Sequence, residues 1–318
     1  MNPVSMNPGT RTGMVSDQAR HLRGLVEQHQ QWGTGSDTSG AAALSIAVTS
    51  GKGGVGTSSI ALNLAIALGQ LNVRAALIDA SLGLGHIDLM CGLNGYWNLE
   101  HVLAGSRRLD DVTLDGPSGI HVVPGGGAMT ARLPITDSDA FDTPRSPGHD
   151  TVRQLVALEA NHDVLLLDAS GAGHPFVFHP GGGTNIVILV TTPEPTSLAD
   201  AYATIKSLPR HVDTRLMILV NRVESARKAG ELYQRLLQTT RLFLESEPTL
   251  AGWIPDDPEV GQAIRQRTPL LIQAENSPAA RAISQLASRL LYQTPRDPEA
   301  PGVFQRLYLQ DTRAQEAA

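Results

Sequence analysis

The sequence predicts an α/β fold, a doubly wound and mostly parallel sheet of seven or eight strands with helices on both faces. Three observations carry that reading. From residue 42 onward, short apolar runs alternate with amphipathic stretches, as expected when each strand is followed by a helix that covers the sheet. The runs are apolar throughout, which marks strands buried on both faces. A glycine-rich turn and single aspartates stand where runs end, at the carboxyl edge where such sheets carry their sites.

In chain order, the first run predicts a strand over 44–49. It passes through the glycine turn of "VTSGKGGVGTSSIALNLAIAL" into a helix over 57–70. Further apolar runs predict strands over 74–79, 120–123, 163–168, 186–191 and 215–221, with a short one near 251–254. The amphipathic stretches between and after them predict helices over 98–104, 149–161, 196–208, 225–243, 258–266 and 277–292. Two stretches, "GGGAMTARLPITDSDAFDTPRSPGHD" and "SGAGHPFVFHPGGGTN", are too rich in Gly and Pro for regular helix. Three regions follow: a polar segment 1–40, an α/β domain 41–292 and a tail 293–318. The first contains a helix over about 16–32. Ser16 or Asp17 can cap it, and Ala19, Leu22, Leu25 and Val26 share one apolar face. So short a helix is marginal alone in water, so that face calls for a partner.

Bulk properties narrow the function. The 318 residues suffice for one large α/β domain or two small ones without covalent staples. The lone cysteine, Cys91, excludes an internal disulfide and a CxxC metal or iron–sulfur site within one chain, and points to a reducing cytoplasm. A net charge of −6, spread along the chain, gives no reason to expect nucleic acid as a partner. No stretch approaches the roughly 20 apolar residues of a membrane span, and a signal-peptide pattern is absent. The chain reads as soluble, at most peripherally attached at the inner membrane or cell pole. The ten histidines are scattered, and His174 and His179 have no adjacent carboxylate, which argues against a metal-hydrolase centre.

The turn at 51–58 carries the chemistry. Glycines let a backbone approach phosphates, and amides at a helix N-terminus point at negative charge. Gly51, Gly53, Gly54 and Gly56 meet that need, with Lys52, Val55, Thr57 and Ser58 completing the loop. Against the pattern G-x-x-x-x-G-K-[ST], the lysine position holds Thr57.

"GKGGVG" resembles the deviant phosphate loop of the MinD/ParA group of P-loop NTPases. In that group the extra lysine, matched here by Lys52, reaches phosphates across a nucleotide-sandwich dimer. "LIDASLGLGHIDLMCGL", "NLEHVLAG", "GIHVVPGG" and "LLLDASGAG" continue the resemblance. "VTTPEPTSLADAYATIK", "LVNRVESARKAGELYQRL", "IPDDPEVGQAIRQRTPLL" and "NSPAARAI" are similar to FlhG, also called YlxH, the MinD-like regulators of flagellar number and position. The resemblance spans about residues 44–292. It implies ATP or ADP with Mg²⁺ as cofactor. Ser58, Asp79 and Asp168 would hold the metal or its waters, Asn221 would bond adenine, and the 254–257 loop with Pro255 would line the base. Asn221 can equally be a turn residue closing its strand. "DQARHLR", Asp17 to Arg23, is similar to the family motif that stimulates the GTPase FlhF. There Gln18 would act on catalytic geometry, Ala19 and Leu22 would pack, and Arg23 would pair with a carboxylate or phosphate. The resemblance also implies flagellar basal-body proteins as partners and a nucleotide-dependent homodimer.

The site departs from its family at four places. Thr57 offers a neutral hydroxyl where a lysine bridges phosphates. Asp79-Ala80-Ser81 replaces a paired-aspartate motif, and the Ser81 hydroxyl cannot serve as the general base. Ala169 follows Asp168 where a hydroxyl residue is usual. "HPFVFHPGGG" replaces the helix expected after "GAG". The expectation is a pseudo-ATPase with weak nucleotide binding and little hydrolysis. The alternative is an active, ATP-driven dimerising switch for flagellar, cell-pole or chromosome positioning, with Lys52 compensating. In the tail, Val303, Phe304, Leu307 and Tyr308 could line a membrane-binding face over 303–309. Balanced charges give it no pull toward anionic lipid, so a disordered or core-docked tail is preferred.

Overall fold

The computed structural model describes residues 42–81, 85–126, 149–171, 184–208, 214–294 and 301–306. Everything expected of Asp17 to Arg23, of His174 and His179, of the stretch after "GAG", and of Leu307 and Tyr308 lies outside these residues.

Eight strands form one sheet: β1 (Leu44–Ser50), β2 (Ala75–Asp79), β3 (Leu114–Asp115), β4 (His121–Val123), β5 (Val164–Asp168), β6 (Ile186–Thr191), β7 (Arg215–Val223) and β8 (Thr249–Pro255), in the order β3-β4-β2-β5-β1-β6-β7-β8. All pairings are parallel except β3 with β4. β1 is buried at every residue, which its uninterrupted apolar text anticipates. Successive residues feed opposite cores. On β5, Val164 and Leu166 join the cluster on one face, while Leu165 and Leu167 join the other. The strand order reverses around β1, so its carboxyl end opens at the topological switch point.

Described helices are α1 (Thr57–Gln70), α2 (Ile87–Met90), α3 (Leu99–Leu103), α4 (Leu109–Val112), α5 (His149–Ala160), α6 (Pro195–Ser207), α7 (Ala226–Leu244), α8 (Pro258–Gln266), α9 (Leu270–Gln273) and α10 (Pro278–Gln293). α1 is buried at every residue from Ile60 to Leu68, because it packs against both the sheet and α10. Its buried Asn63 is satisfied by accepting from the Leu271 amide at 3.0 Å and donating to the Ser59 carbonyl at 2.8 Å. Asp257 caps α8 through the Glu259 amide and also accepts from the Ala279 amide, both at 3.0 Å, which fixes the start of α10 against it. No described helix is long and apolar enough to cross a membrane.

The tail residues 301–306 are docked. Val303 and Phe304 are buried in the core on the α5 side of the sheet, and their amides donate to the buried Glu159 carboxylate at 2.6 and 3.1 Å. Of the four apolar residues weighed for a membrane face, the two that are described are thus docked on the core, the arrangement preferred over membrane contact. Three short helices, α2, α4 and α9, and the two-residue β3 went unpredicted.

Candidate phosphate-loop site

The loop between β1 and α1 is shaped by contacts that only glycine permits. Gly56, the N-cap of α1, has φ 97°, and a Cβ there would lie 2.7 Å from Asn221 Nδ2. A Cβ on Gly51 would collide with the Asp200 carbonyl of α6. Gly54 also has positive φ, while Val55 is buried. Among the described residues no amide of Gly53–Ser58 donates to another group. α1 has no side-chain cap and no acidic residue in its first turn. The loop thus presents free donors at a helix N-terminus, which fits an anion such as phosphate.

The polar side chains of the loop are occupied elsewhere. Thr57 is buried, and its hydroxyl donates to Ser50 Oγ at 2.9 Å, which in turn donates to the Lys52 carbonyl at 3.0 Å. The threonine that replaces the lysine therefore braces the loop from within. Lys52 Nζ pairs with Glu194 and donates to Thr196 Oγ1 at 2.9 Å, both at the start of α6. That ammonium holds the Glu194 carboxyl below the ordinary carboxylate range. Asn221 Nδ2 donates to the Val55 carbonyl at 2.7 Å and its Oδ1 accepts from the Arg222 amide at 2.9 Å, so the side chain ties β7 to the loop. Pro255, half-buried, closes β8.

Asp79 and Asp168 end neighbouring strands directly in register. Asp79 is saturated: Oδ1 accepts from the Ser81 amide and hydroxyl at 3.2 and 2.7 Å, and Oδ2 from the His86 and Ile87 amides at 2.9 and 3.2 Å. Ser81 is thus turned onto Asp79. Asp168 is fully buried. Among the described residues its Oδ1 accepts from the Ser170 amide at 3.2 Å, and its Oδ2 has no partner in hydrogen-bonding geometry. Burial, then the charge of Asp79, push its pKa up to about 7, with Ser58 and Ser170 offsetting part of the rise. An orphaned buried carboxylate oxygen close to a serine hydroxyl fits a hard divalent cation such as Mg²⁺. Ala169, beside it, is buried and donates its amide to the Val48 carbonyl at 2.9 Å.

The structure thus gathers Gly51 to Ser58, Asn221, Asp79, Ser81 and Asp168 at one edge of the sheet. Ser50, Glu194 and Thr196 take roles here that no motif in the sequence marks. The acid in "PEPT" opposite a loop lysine is the one signal that could have found the last two.

The family model for the CobQ/CobB/MinD/ParA nucleotide binding domain matches residues 46–270. The antiactivator FleN of Pseudomonas aeruginosa is 35% identical over 247 residues, covering 77% of this chain and 85% of FleN. The flagellum site-determining protein YlxH of Helicobacter pylori is 29% identical over 255 residues, covering 77% and 81%. Among solved structures, the septum site-determining protein MinD of Pyrococcus horikoshii, complexed with Mg-ADP, superposes with a TM-score of 0.56 at 21% identity. That match covers 78% of this chain and 96% of the other, and at that identity it speaks for the fold alone.

Proposed function

The chain belongs to the MinD/ParA nucleotide-binding family, in the FlhG group with FleN and YlxH, and from that premise we propose that it is a regulator of flagellar number or placement that works as a binding scaffold. One observation carries the scaffold reading. Each side chain that could stand in for a missing catalytic group is already bonded within the chain: Thr57 to Ser50, Lys52 to Glu194 and Thr196, and Ser81 to Asp79. Asp79 is saturated with donors and Asp168 is the candidate cation ligand, which leaves no described carboxylate at the site in the role of general base, so hydrolysis is slow or lost. The segment over residues 16–32, for which the sequence predicts a helix, then becomes the active element. Gln18 acts on the catalytic geometry of an FlhF-like GTPase, while Ala19, Leu22 and Arg23 hold the complex.

A second reading, an ATP-driven dimerising switch, is favoured by the free loop amides and the orphaned Asp168 Oδ2. Mg²⁺ with ADP or ATP would be held by Ser58 and Asp168, and the ion would neutralise phosphate charge. Lys52 would have to leave Glu194 to contribute.

GTP hydrolysis by a purified FlhF-like GTPase, measured with and without this protein, tests the scaffold reading. Stimulation is expected. Gln18→Ala should lower the stimulated kcat while leaving complex formation intact, and Leu22→Ala should weaken the complex, because an apolar anchor contributes equally to ground and transition states. No stimulation of a GTPase shown to be active would remove the reading.

A further inference from the structure

β8 is the last strand of the sheet and is paired on one side only, by β7. Along its other side runs a cleft of about 660 Å³, with Trp253 on one flank and Arg281, Gln285, Ser288 and Arg289 of α10 on the other. The mouth is cationic. No carboxylate lines it, and neither arginine forms an ion pair among the described residues. Arg281 donates to the Asn276 carbonyl at 2.7 Å and Arg289 to the Gln285 carbonyl at 3.4 Å, so each guanidinium keeps donors to spare.

Backbone geometry limits the occupant. Gly252 has φ 143° at an irregularity in the β7–β8 register, and a Cβ there would lie 2.6 Å from Arg289 Nη2. That interruption, together with Pro255, which has no amide hydrogen, rules out a long added strand. Recognition must therefore come from side chains. Arg281 and Arg289 are two helical turns apart on one face, about 12 Å along the axis. In an extended peptide that distance is matched by residues about four positions apart, which also point the same way. A second copy of this chain would bring like charges together, and two arginines on a chain of net charge −6 are too few for a nucleic-acid backbone.

We propose that this cleft docks a short, extended acidic segment of a partner protein. Two carboxylates about four residues apart engage Arg281 and Arg289, and an apolar side chain lies against Trp253.

The probes are two fluorescein-labelled peptides of about twelve residues and identical composition, glycine and serine with one leucine and two glutamates, the glutamates four apart in one and adjacent in the other. Anisotropy titrations on the full-length protein should show the spaced peptide binding more tightly. Arg281→Ala and Arg289→Ala should each weaken it by about tenfold or more, as loss of a charge-assisted contact predicts. Arg107→Ala, at a surface arginine over Trp97, should leave binding unchanged. Both cleft arginines are exposed, and thermal melts will confirm that the variants fold. Equal affinity for the two peptides, no loss in the arginine variants, no binding up to millimolar peptide, or displacement by inorganic phosphate at equal concentration would each overturn the proposal.

Discussion

At residue scale, Asp79 and Asp168 share a register position and differ in everything around it. Asp79 receives four donors, whereas Asp168 keeps a buried oxygen without one. In the metal-free protein the Asp168 carboxyl titrates near 7, against an ordinary value of 3.8, because of burial and then Asp79. The folded chain therefore binds this proton more tightly than the unfolded chain does. Its contribution is fully present below the ordinary carboxylate range and is lost as pH rises through about 7. Asp168→Asn keeps the neutral shape. It should stabilise the metal-free protein by on the order of 2–4 kcal/mol at alkaline pH, with the gain shrinking steadily as the medium is acidified. Thermal melts across the pH range check this, and an equal gain at all pH values would show that the charge is not the cause. The glycines of the loop were legible because their constraint is local. The direction taken by Thr57 was not, since a threonine after a glycine turn reads the same whether its hydroxyl faces a phosphate or Ser50. The Lys52–Glu194 pair spans more than half the domain's length in sequence and leaves no periodic trace.

At the scale of elements, the strands and long helices were legible because burial on both faces writes continuous apolar runs, and helices over such a sheet write a 3.6-residue period. The four-residue helices α2, α4 and α9 are too short to show a period at all. The tail turn at 303–306 was ambiguous for a different reason, since an apolar face reads alike whether lipid or core covers it. The deciding group is Glu159 on α5, which receives the turn's first amides and leaves no room for a side chain at 302. Gly302→Ala should push the turn off Glu159, and Phe304→Ala should remove its buried ring, at a cost of about 3–5 kcal/mol were the segment to stay in place. Both variants should undock the segment and speed tryptic cleavage at Arg306 while the central sheet stays folded. An unchanged cleavage rate in both would show that these contacts do not hold the tail.

At the scale of the whole molecule, the sheet gathers its strand ends at one edge as the family fold requires, and on the proposed scaffold reading Thr57 and Ser81 there leave the chain without the parts that turn over nucleotide. The two losses differ in kind. Thr57 stands where a lysine would bind phosphate in both ground and transition states, whereas Ser81 stands where a carboxylate would act on the attacking water alone. Restoring them should therefore separate. Wild-type protein should hydrolyse Mg-ATP no faster than Lys52→Ala. Thr57→Lys should tighten ATP binding by about ten- to a hundredfold, the worth of one charge-assisted bond, with little gain in turnover. Only Thr57→Lys combined with Ser81→Asp should raise kcat, because only the pair supplies both charge and base. Calorimetric ATP affinity alongside phosphate release reads the two effects independently. Full turnover in Thr57→Lys alone would mean that another group already orients the water, and brisk wild-type turnover abolished by Lys52→Ala would mean that Lys52 leaves Glu194 for the phosphates and that the switch reading is the correct one.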